Sequence, residues 1–522
     1  MKKDQQPPTS MRDSPSPLRS TGMVGLLTML SRILGLIRDV MIANFIGAGA
    51  SADAFFIAFK IPNFLRRLFA EGAFAQAFVP VLSEYRTTRD YAAIRSLVDH
   101  VSGMLGLSLA IITGIAIVAA PVVTLVFAPG FVQYEEKLAL ATQMLRITFP
   151  YLLLISMTAF AGSILNSYGR FAVPAFTPAI LNLSLIGCTL FMAPWLNQPA
   201  MALAWGVLIA GIGQLLFQLP FLLRINLLPT PKISRNHEGV TQILRLMVPA
   251  LFGVSVSQIN LLLDTVLASF LQTGSVSWLY FSDRLVELPL GVFGIAIATV
   301  ILPSLSRQHA SEDQNRYRKT MGWALRSVFT MGLPAALALF VLAEPLIITL
   351  FQYGAMTEMD VQMSAMSLRA YSFGLIAFML IKVLAPGYFS RQDMRTPVRI
   401  AVWAMLANMV LNLLLVWPLK HAGLALATSM AAFLNAGLLF SGLYRMGFYK
   451  PTRDWWKLGI QLLLANMSMV LVLTLLTSGN ELWFAWDVWQ RALSLGGLCF
   501  GGIIVYVLVL FMLGVRPGQY KI

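Results

Sequence analysis

Apolar runs long enough to cross a bilayer, about 18 residues or more, recur along most of this chain. Only helices and closed barrels satisfy their backbone groups inside lipid. These runs are far longer than barrel strands, so the chain must fold as a bundle of membrane helices. The runs are also written twice. Pro80-Val81-Leu82-Ser83 recurs as Pro303-Ser304-Leu305-Ser306, an offset of 223, and Ala43-Asn44-Phe45-Ile46 as Ala268-Ser269-Phe270-Leu271, an offset of 225. Between these limits Pro121 recurs as Pro345, Arg146 as Arg369, Pro174 as Pro397, Ala202-Leu203-Ala204 as Ala425-Leu426-Ala427, and Leu215-Leu216-Phe217 as Leu438-Leu439-Phe440. Chance does not hold one offset for so long. Two membrane repeats in one chain point to a transporter with its site between the halves.

Composition agrees. Of 522 residues, 57% are hydrophobic and 12% charged, with a mean hydropathy of +0.73; a water-soluble domain carries about twice that charge. The net charge of +15 would suit nucleic acid, but the cations sit in short loops between apolar runs and read as topology signals. Cys188 and Cys499 each lie inside an apolar run and read as small buried hydrophobes. His100, His237, His309 and His421 are scattered, without metal-ligand spacing.

About fourteen spans are expected, near 23–45, 54–80, 98–127, 138–166, 171–193 and 199–223, then 243–271, 277–303, 322–352, 361–388, 396–417 and 421–445, then 457–477 and 489–514. The domain plan is a disordered tail over 1–20, a first six-helix lobe over 21–225, a basic linker over 226–242, a second lobe over 243–446, and a terminal helix pair within 447–522. One set of connections holds Arg86, Arg89, Arg95, Arg170, Arg224, Lys232, Arg235, Arg307, Arg316, Arg318, Lys319, Arg391, Arg395, Lys450 and Arg453; the other holds only Lys137 and Lys420. The first set, with both termini, is expected on the cytoplasmic side. Six spans per copy keep both copies in one orientation, so the repeats are parallel.

Charges at bilayer depth cost at least about 2.5 kcal/mol each on insertion scales. The first span carries Arg32, Arg38 and Asp39, and the second opens at Asp53 and continues Lys60, Asn63, Arg66, Arg67 and Glu71. Lys60, Asn63 and Arg67 share a helix face by their spacing, and Pro62 bends the helix among them. Snorkelling to the headgroups competes for Arg67, and an internal ion pair competes for Arg38 with Asp39. A cluster this dense favours a polar cavity. The second copy carries Asp283, Arg284 and Glu287 instead, so the scaffold is repeated and the charges are not. Arginines in excess of carboxylates imply an anionic group, and guanidinium is the preferred fork for phosphate. Asp264 is a weak candidate for a cation site with Asn412, and the matched Arg146 and Arg369 favour a structural role. No metal centre, catalytic constellation or P-loop is present, so ATP bound to this chain does not drive transport.

The stretches Ser31-Arg32-Ile33-Leu34-Gly35-Leu36-Ile37-Arg38-Asp39 and Asp53-Ala54-Phe55-Phe56-Ile57-Ala58-Phe59-Lys60-Ile61-Pro62-Asn63, continuing through Leu65-Arg66-Arg67 and Phe69-Ala70-Glu71-Gly72, resemble the MurJ (MviN) family of bacterial lipid II flippases. So do Ser275-Val276-Ser277-Trp278, Ser282-Asp283-Arg284 and Val383-Leu384-Ala385-Pro386-Gly387 with Tyr388-Phe389-Ser390-Arg391-Gln392-Asp393. The resemblance implies the MOP exporter architecture, two six-helix lobes plus two helices forming a lipid groove. It also implies export of undecaprenyl-diphosphate-linked disaccharide-pentapeptide across the inner membrane by alternating access, coupled to membrane potential or an ion gradient. The family's functional charges fall on Arg32, Arg38, Asp53, Arg66 and Arg284. On this reading Arg32, Arg38, Arg66 and Arg284 contact the diphosphate. Asp53, Asp39, Glu71 and Asp283 serve gating and charge pairing, and Lys60, Asn63 and Glu287 support them. Partners are lipid II, membrane lipids and cell-wall synthesis or division proteins, with no nucleic acid. The rivals are another exporter of the same superfamily (a polysaccharide-lipid flippase or a drug antiporter), a polyprenyl-phosphate enzyme, and a non-transporting scaffold. Acidic cavity residues would favour the drug antiporter, and carboxylate pairs at a membrane face the enzyme.

Overall fold

The computed structural model describes residues 17–234, 237–477 and 479–516, apart from the side chains at 17–21, 69–71, 252–254, 256, 257, 295 and 480. Among the described residues all regular structure is helical. The helices are α1 (Pro17–Phe45), α2 (Ala50–Leu65), α3 (Ala75–Thr88), α4 (Tyr91–Val118), α5 (Ala120–Phe127), α6 (Glu135–Thr148), α7 (Tyr151–Ser167), α8 (Ala172–Phe191), α9 (Met201–Arg224) and α10 (Glu238–Ser269). They continue as α11 (Ser275–Pro289), α12 (Ile295–Ala310), α13 (Gln314–Val341), α14 (Ala343–Phe351), α15 (Glu358–Phe389), α16 (Arg395–Arg445), α17 (Asp454–Leu476), α18 (Asn480–Ala485) and α19 (Val488–Met512). The chain divides into two compact units, Met1–Phe270 and Leu271–Ile522.

Within each unit the duplication is visible helix by helix. α4 and α13 are 28 residues each, and their first residues, Tyr91 and Gln314, lie 223 apart. Each is capped by the aspartate before it: Asp90 accepts from the Ala93 amide at 3.0 Å and Asp313 from the Arg316 amide at 2.9 Å. A carboxylate there satisfies an orphan amide and faces the positive end of the helix dipole. Both helices stop at matched residues, Ala119 and Leu342, ahead of Pro121 and Pro345. The second span of each copy loses regular α geometry after a proline. Pro62 precedes a π-helical stretch over Arg66–Phe74, and Pro289 one over Leu290–Gly294. Proline removes an amide donor, and a wider turn is one way the helix absorbs the defect.

One boundary differs from the expected plan. The first helix already includes Pro17–Ser20, which had been placed in the tail, while residues 1–16 lie outside the described residues. Spans eleven and twelve fall on the two halves of α16, a 51-residue stretch that is broken at Lys420, whose φ of 50° is left-handed, between the two expected spans. Unbroken, it would be about 77 Å long, more than twice the hydrocarbon thickness. Among the described residues ten helical stretches are apolar and long enough to cross a membrane by length and composition, and one of them, α16, covers two of the expected spans. α1, α2 and α10 are not among the ten.

The segment before α10 is docked on α4. Asp99, 2% exposed, accepts from the Thr230 amide at 2.8 Å, from its hydroxyl at 2.7 Å and from Lys232 Nζ at 3.3 Å. The Tyr91 hydroxyl donates to the Asn226 carbonyl at 2.6 Å, and the His100 and His237 rings stack with centroids 4.6 Å apart. The same region holds an apolar cavity of about 230 Å³ lined by Val101, Met104, Leu109, Ile243 and Met247; none of the expected site charges reaches it.

Candidate functional site

α1 places its two arginines in different surroundings. Arg38 is buried, and its guanidinium donates to Asp39 Oδ1 through Nε at 2.9 Å and Nη2 at 2.7 Å, and to Asn182 Oδ1 through Nη1 at 2.9 Å. Asn182, on α8, donates in turn to the Ser31 carbonyl at 2.8 Å. The competing reading of Arg38 and Asp39 as an internal ion pair therefore describes the geometry, and a direct anion contact by Arg38 is not what the structure presents. An adjacent carboxylate plus an amide neutralises the guanidinium out of water, as a buried charge requires. Arg32, almost two turns earlier, is half-buried, and no described residue pairs with it.

The second span sorts its polar residues in the same way. Lys60 and Arg67 are exposed, while Asn63 and Arg66 are half-buried. Asn63 donates to the Phe59 carbonyl at 3.0 Å and accepts from Arg66 Nε at 3.2 Å, which turns Arg66 at the start of the π-helical stretch. The side chain of Glu71 lies outside the described ones.

At the other end of α2, Asp53 is fully buried and its Oδ2 lies 2.7 Å from Lys137 Nζ on α6. The ammonium also sits over the Phe131 ring at 4.2 Å. Lys137 is one of the two lysines in the cation-poor connections, and its role was not read from sequence. A lysine in connections otherwise nearly free of Lys and Arg was the available signal.

In the second unit, Arg284 donates to Glu287 Oε2 at 2.6 Å and lies over the Tyr280 ring at 4.8 Å; Asp283 is exposed. Arg369 pairs with Glu344 at 2.8 Å. Its counterpart Arg146 is exposed and unpaired among the described residues, because Ala120 and Pro121 stand where the acid would be. Asp264 is half-buried, and no group of three or more metal-type ligands forms among the described residues. Asp393, between α15 and α16, is held below the usual carboxylate range by the Thr396 amide, which donates at 3.0 Å. Arg491, which sequence reasoning passed over, is 6% exposed and spends its donors on backbone carbonyls.

A buried ion pair on one membrane helix, an unpaired arginine on the same helix and a bent second helix rich in cations form an arrangement suited to an anionic headgroup. The family profile described as lipid II flippase MurJ matches residues 42–499. The chain belongs to the lipid II flippase MurJ family. A relative from Vibrio cholerae, described as a probable lipid II flippase MurJ, is 51% identical over 513 residues, 97% of each chain. One from Haemophilus influenzae with the same description is 48% identical over 94% of this chain and 98% of its own. One from Burkholderia cenocepacia, described as lipid II flippase MurJ, is 43% identical over 83% and 85%. Among solved structures, a lipid II flippase MurJ in an inward closed conformation matches with a TM-score of 0.79 and 28% identity, covering 94% of this chain and 98% of that one. An inward-facing multidrug transporter of the MATE family matches with a TM-score of 0.67 at 13% identity, a likeness of fold alone. Family members are multi-pass membrane proteins and transporters, not enzymes, and the helices of this chain fit that description.

Proposed function

We propose that this lipid II flippase carries its substrate's diphosphate on Arg32, with Arg66 and Arg284 as further guanidinium contacts. The observation that carries the reading is the contrast on α1: Arg38 is fully engaged by Asp39 and Asn182, while Arg32 has no partner among the described residues. An unpaired guanidinium in a membrane helix is held there for something it binds. Arg38 then acts as a brace that fixes α1 against α8.

The cation-rich connections and both termini face the cytoplasm of the inner membrane in this reading, and lipid II moves to the opposite leaflet by alternating access. The prenyl chain stays in hydrocarbon, against α17 and α19, whose Leu463, Met467, Leu471, Phe500, Ile503 and Val507 are exposed. Only the headgroup needs a polar route, since moving a diphosphate through bare lipid is prohibitive. Membrane potential or an ion gradient drives the cycle, and cell-wall synthesis and division proteins are the partners this role would bring.

The test is flipping of labelled lipid II in proteoliposomes. Arg32→Ala should slow flipping about tenfold, the loss expected for one charge-assisted hydrogen bond, and Arg32→Lys should restore part of it. Undiminished flipping by Arg32→Ala would remove Arg32 from the site.

A further inference from the structure

The two repeats fasten their second span to their fourth at the same place, with different chemistry. The fourth residue of α2, Asp53, meets the third residue of α6, Lys137, at 2.7 Å. The fourth residue of α11, Trp278, meets the third residue of α15, Asp360, and the indole Nε1–H donates to Oδ1 at 2.8 Å. A second hydrogen bond joins each pair of helices. The Thr148 hydroxyl donates to the Ala58 carbonyl at 3.0 Å in the first copy, and the Ser282 hydroxyl to the Ser364 carbonyl at 2.7 Å in the second.

The first contact is covered on both sides, and in the second Trp278 is buried while Asp360 is half-buried. Asp53 is 0%, Lys137 4% and Trp278 3% exposed. The His421 ring lies 4.9 Å from that of Trp278, and the other oxygen of Asp360 accepts from the amide and hydroxyl of Thr357 at 2.9 and 2.7 Å. Parting Asp53 from Lys137 would strand two charges away from water, which makes the pair a poor choice for a contact remade in every cycle. In the second copy the position is kept and the ion pair is not. What the duplication has retained is therefore the fastening, not a group that gains and loses charge.

We infer that Asp53–Lys137 and Trp278–Asp360 are permanent ties, one per repeat, that keep the second and fourth spans moving as one body. Lys137, Trp278 and Asp360 are then positioning residues for transport. The inference rests on the flippase reading, and it assigns Asp53 a fixed partner in place of the gating role expected from sequence.

Two measurements test it. In flipping assays, Asp53→Asn and Lys137→Gln should each slow transport about tenfold by leaving one buried charge unpaired, while the double variant, a neutral amide pair, should recover most of the rate. Lipid II binding should stay unchanged in all three, because the tie touches no substrate. A double variant as slow as Asp53→Asn would overturn the inference, since Asp53 would then act through its own charge. In the unmodified protein, a small amine-reactive reagent should label Lys137 at least about tenfold more slowly than exposed Lys60, with and without lipid II turnover. Labelling of Lys137 that rises to the Lys60 rate during turnover would show that the pair opens and would equally overturn it. Failure of the unmodified protein to flip lipid II would count against the transport reading alone. The ties would then be judged by melting temperature, which the double variant should recover and the single ones should not.

Discussion

Arg491 shows what a guanidinium does when no carboxylate is at hand. Its Nε donates to the Trp483 carbonyl at 3.0 Å, Nη2 to Phe484 at 3.0 Å and Nη1 to Gln352 at 2.9 Å, and its plane lies over Tyr353 at 5.2 Å. The start of α19 is thereby tied to α18 and to the end of α14. Arg491→Met should lower stability by about 3 kcal/mol, several charge-assisted hydrogen bonds at once, read as a lower melting temperature in detergent. Arg491→Lys should recover only part, because an ammonium cannot span three carbonyls in one plane. A single arginine flanking a span looks like a headgroup anchor in sequence, which is why its burial was not legible. Arg38 was half-legible: the neighbouring Asp39 suggested an ion pair, but Asn182 could not be seen.

At the scale of elements, the described part of the stretch joining α9 to α10 is docked on α4. It rests on α4 through Asp99, through the stacked His100 and His237, and through Glu238, which lies 3.4 Å from Arg89. Burial pushes His237 below its usual value of 6.5; neighbouring His100 pushes it the same way, and Glu238 opposes them. A histidine depressed in the folded state takes up a proton more readily once released. Its contribution to docking is therefore complete above about pH 6.5 and is lost as pH falls through its lower folded value. Hydrogen exchange of amides over 226–242, corrected for intrinsic rates, should accelerate between pH 7.5 and 5.5, and His237→Gln should flatten that dependence. Exchange equally slow at both pH values would mean the histidine stack does not hold the segment. The sequence showed a basic linker here. The acceptor that fixes it, Asp99, sits over 130 residues earlier in the chain than Thr230.

At the scale of the molecule, family membership supplies the function and the physics of the bilayer limits the means. No nucleotide loop is present in the sequence, so an imposed membrane potential should change the rate of lipid II flipping in proteoliposomes, while added ATP should leave it unchanged; stimulation by ATP would refute that coupling. Sequence alone determined the helical membrane class, the duplication and the helices that carry charge, because hydropathy and repetition are sums over neighbouring residues. It also placed the family through motifs on α1, α2, α11 and the α15 end. Only tertiary structure decided which charges are spent. Asp53 meets Lys137 across 84 residues and Arg38 meets Asn182 across 144, whereas Arg32, almost two helix turns from Arg38, is left without a described partner. A buried charge is settled by whichever polar group packing brings within about 3 Å, and no local pattern in the chain records that.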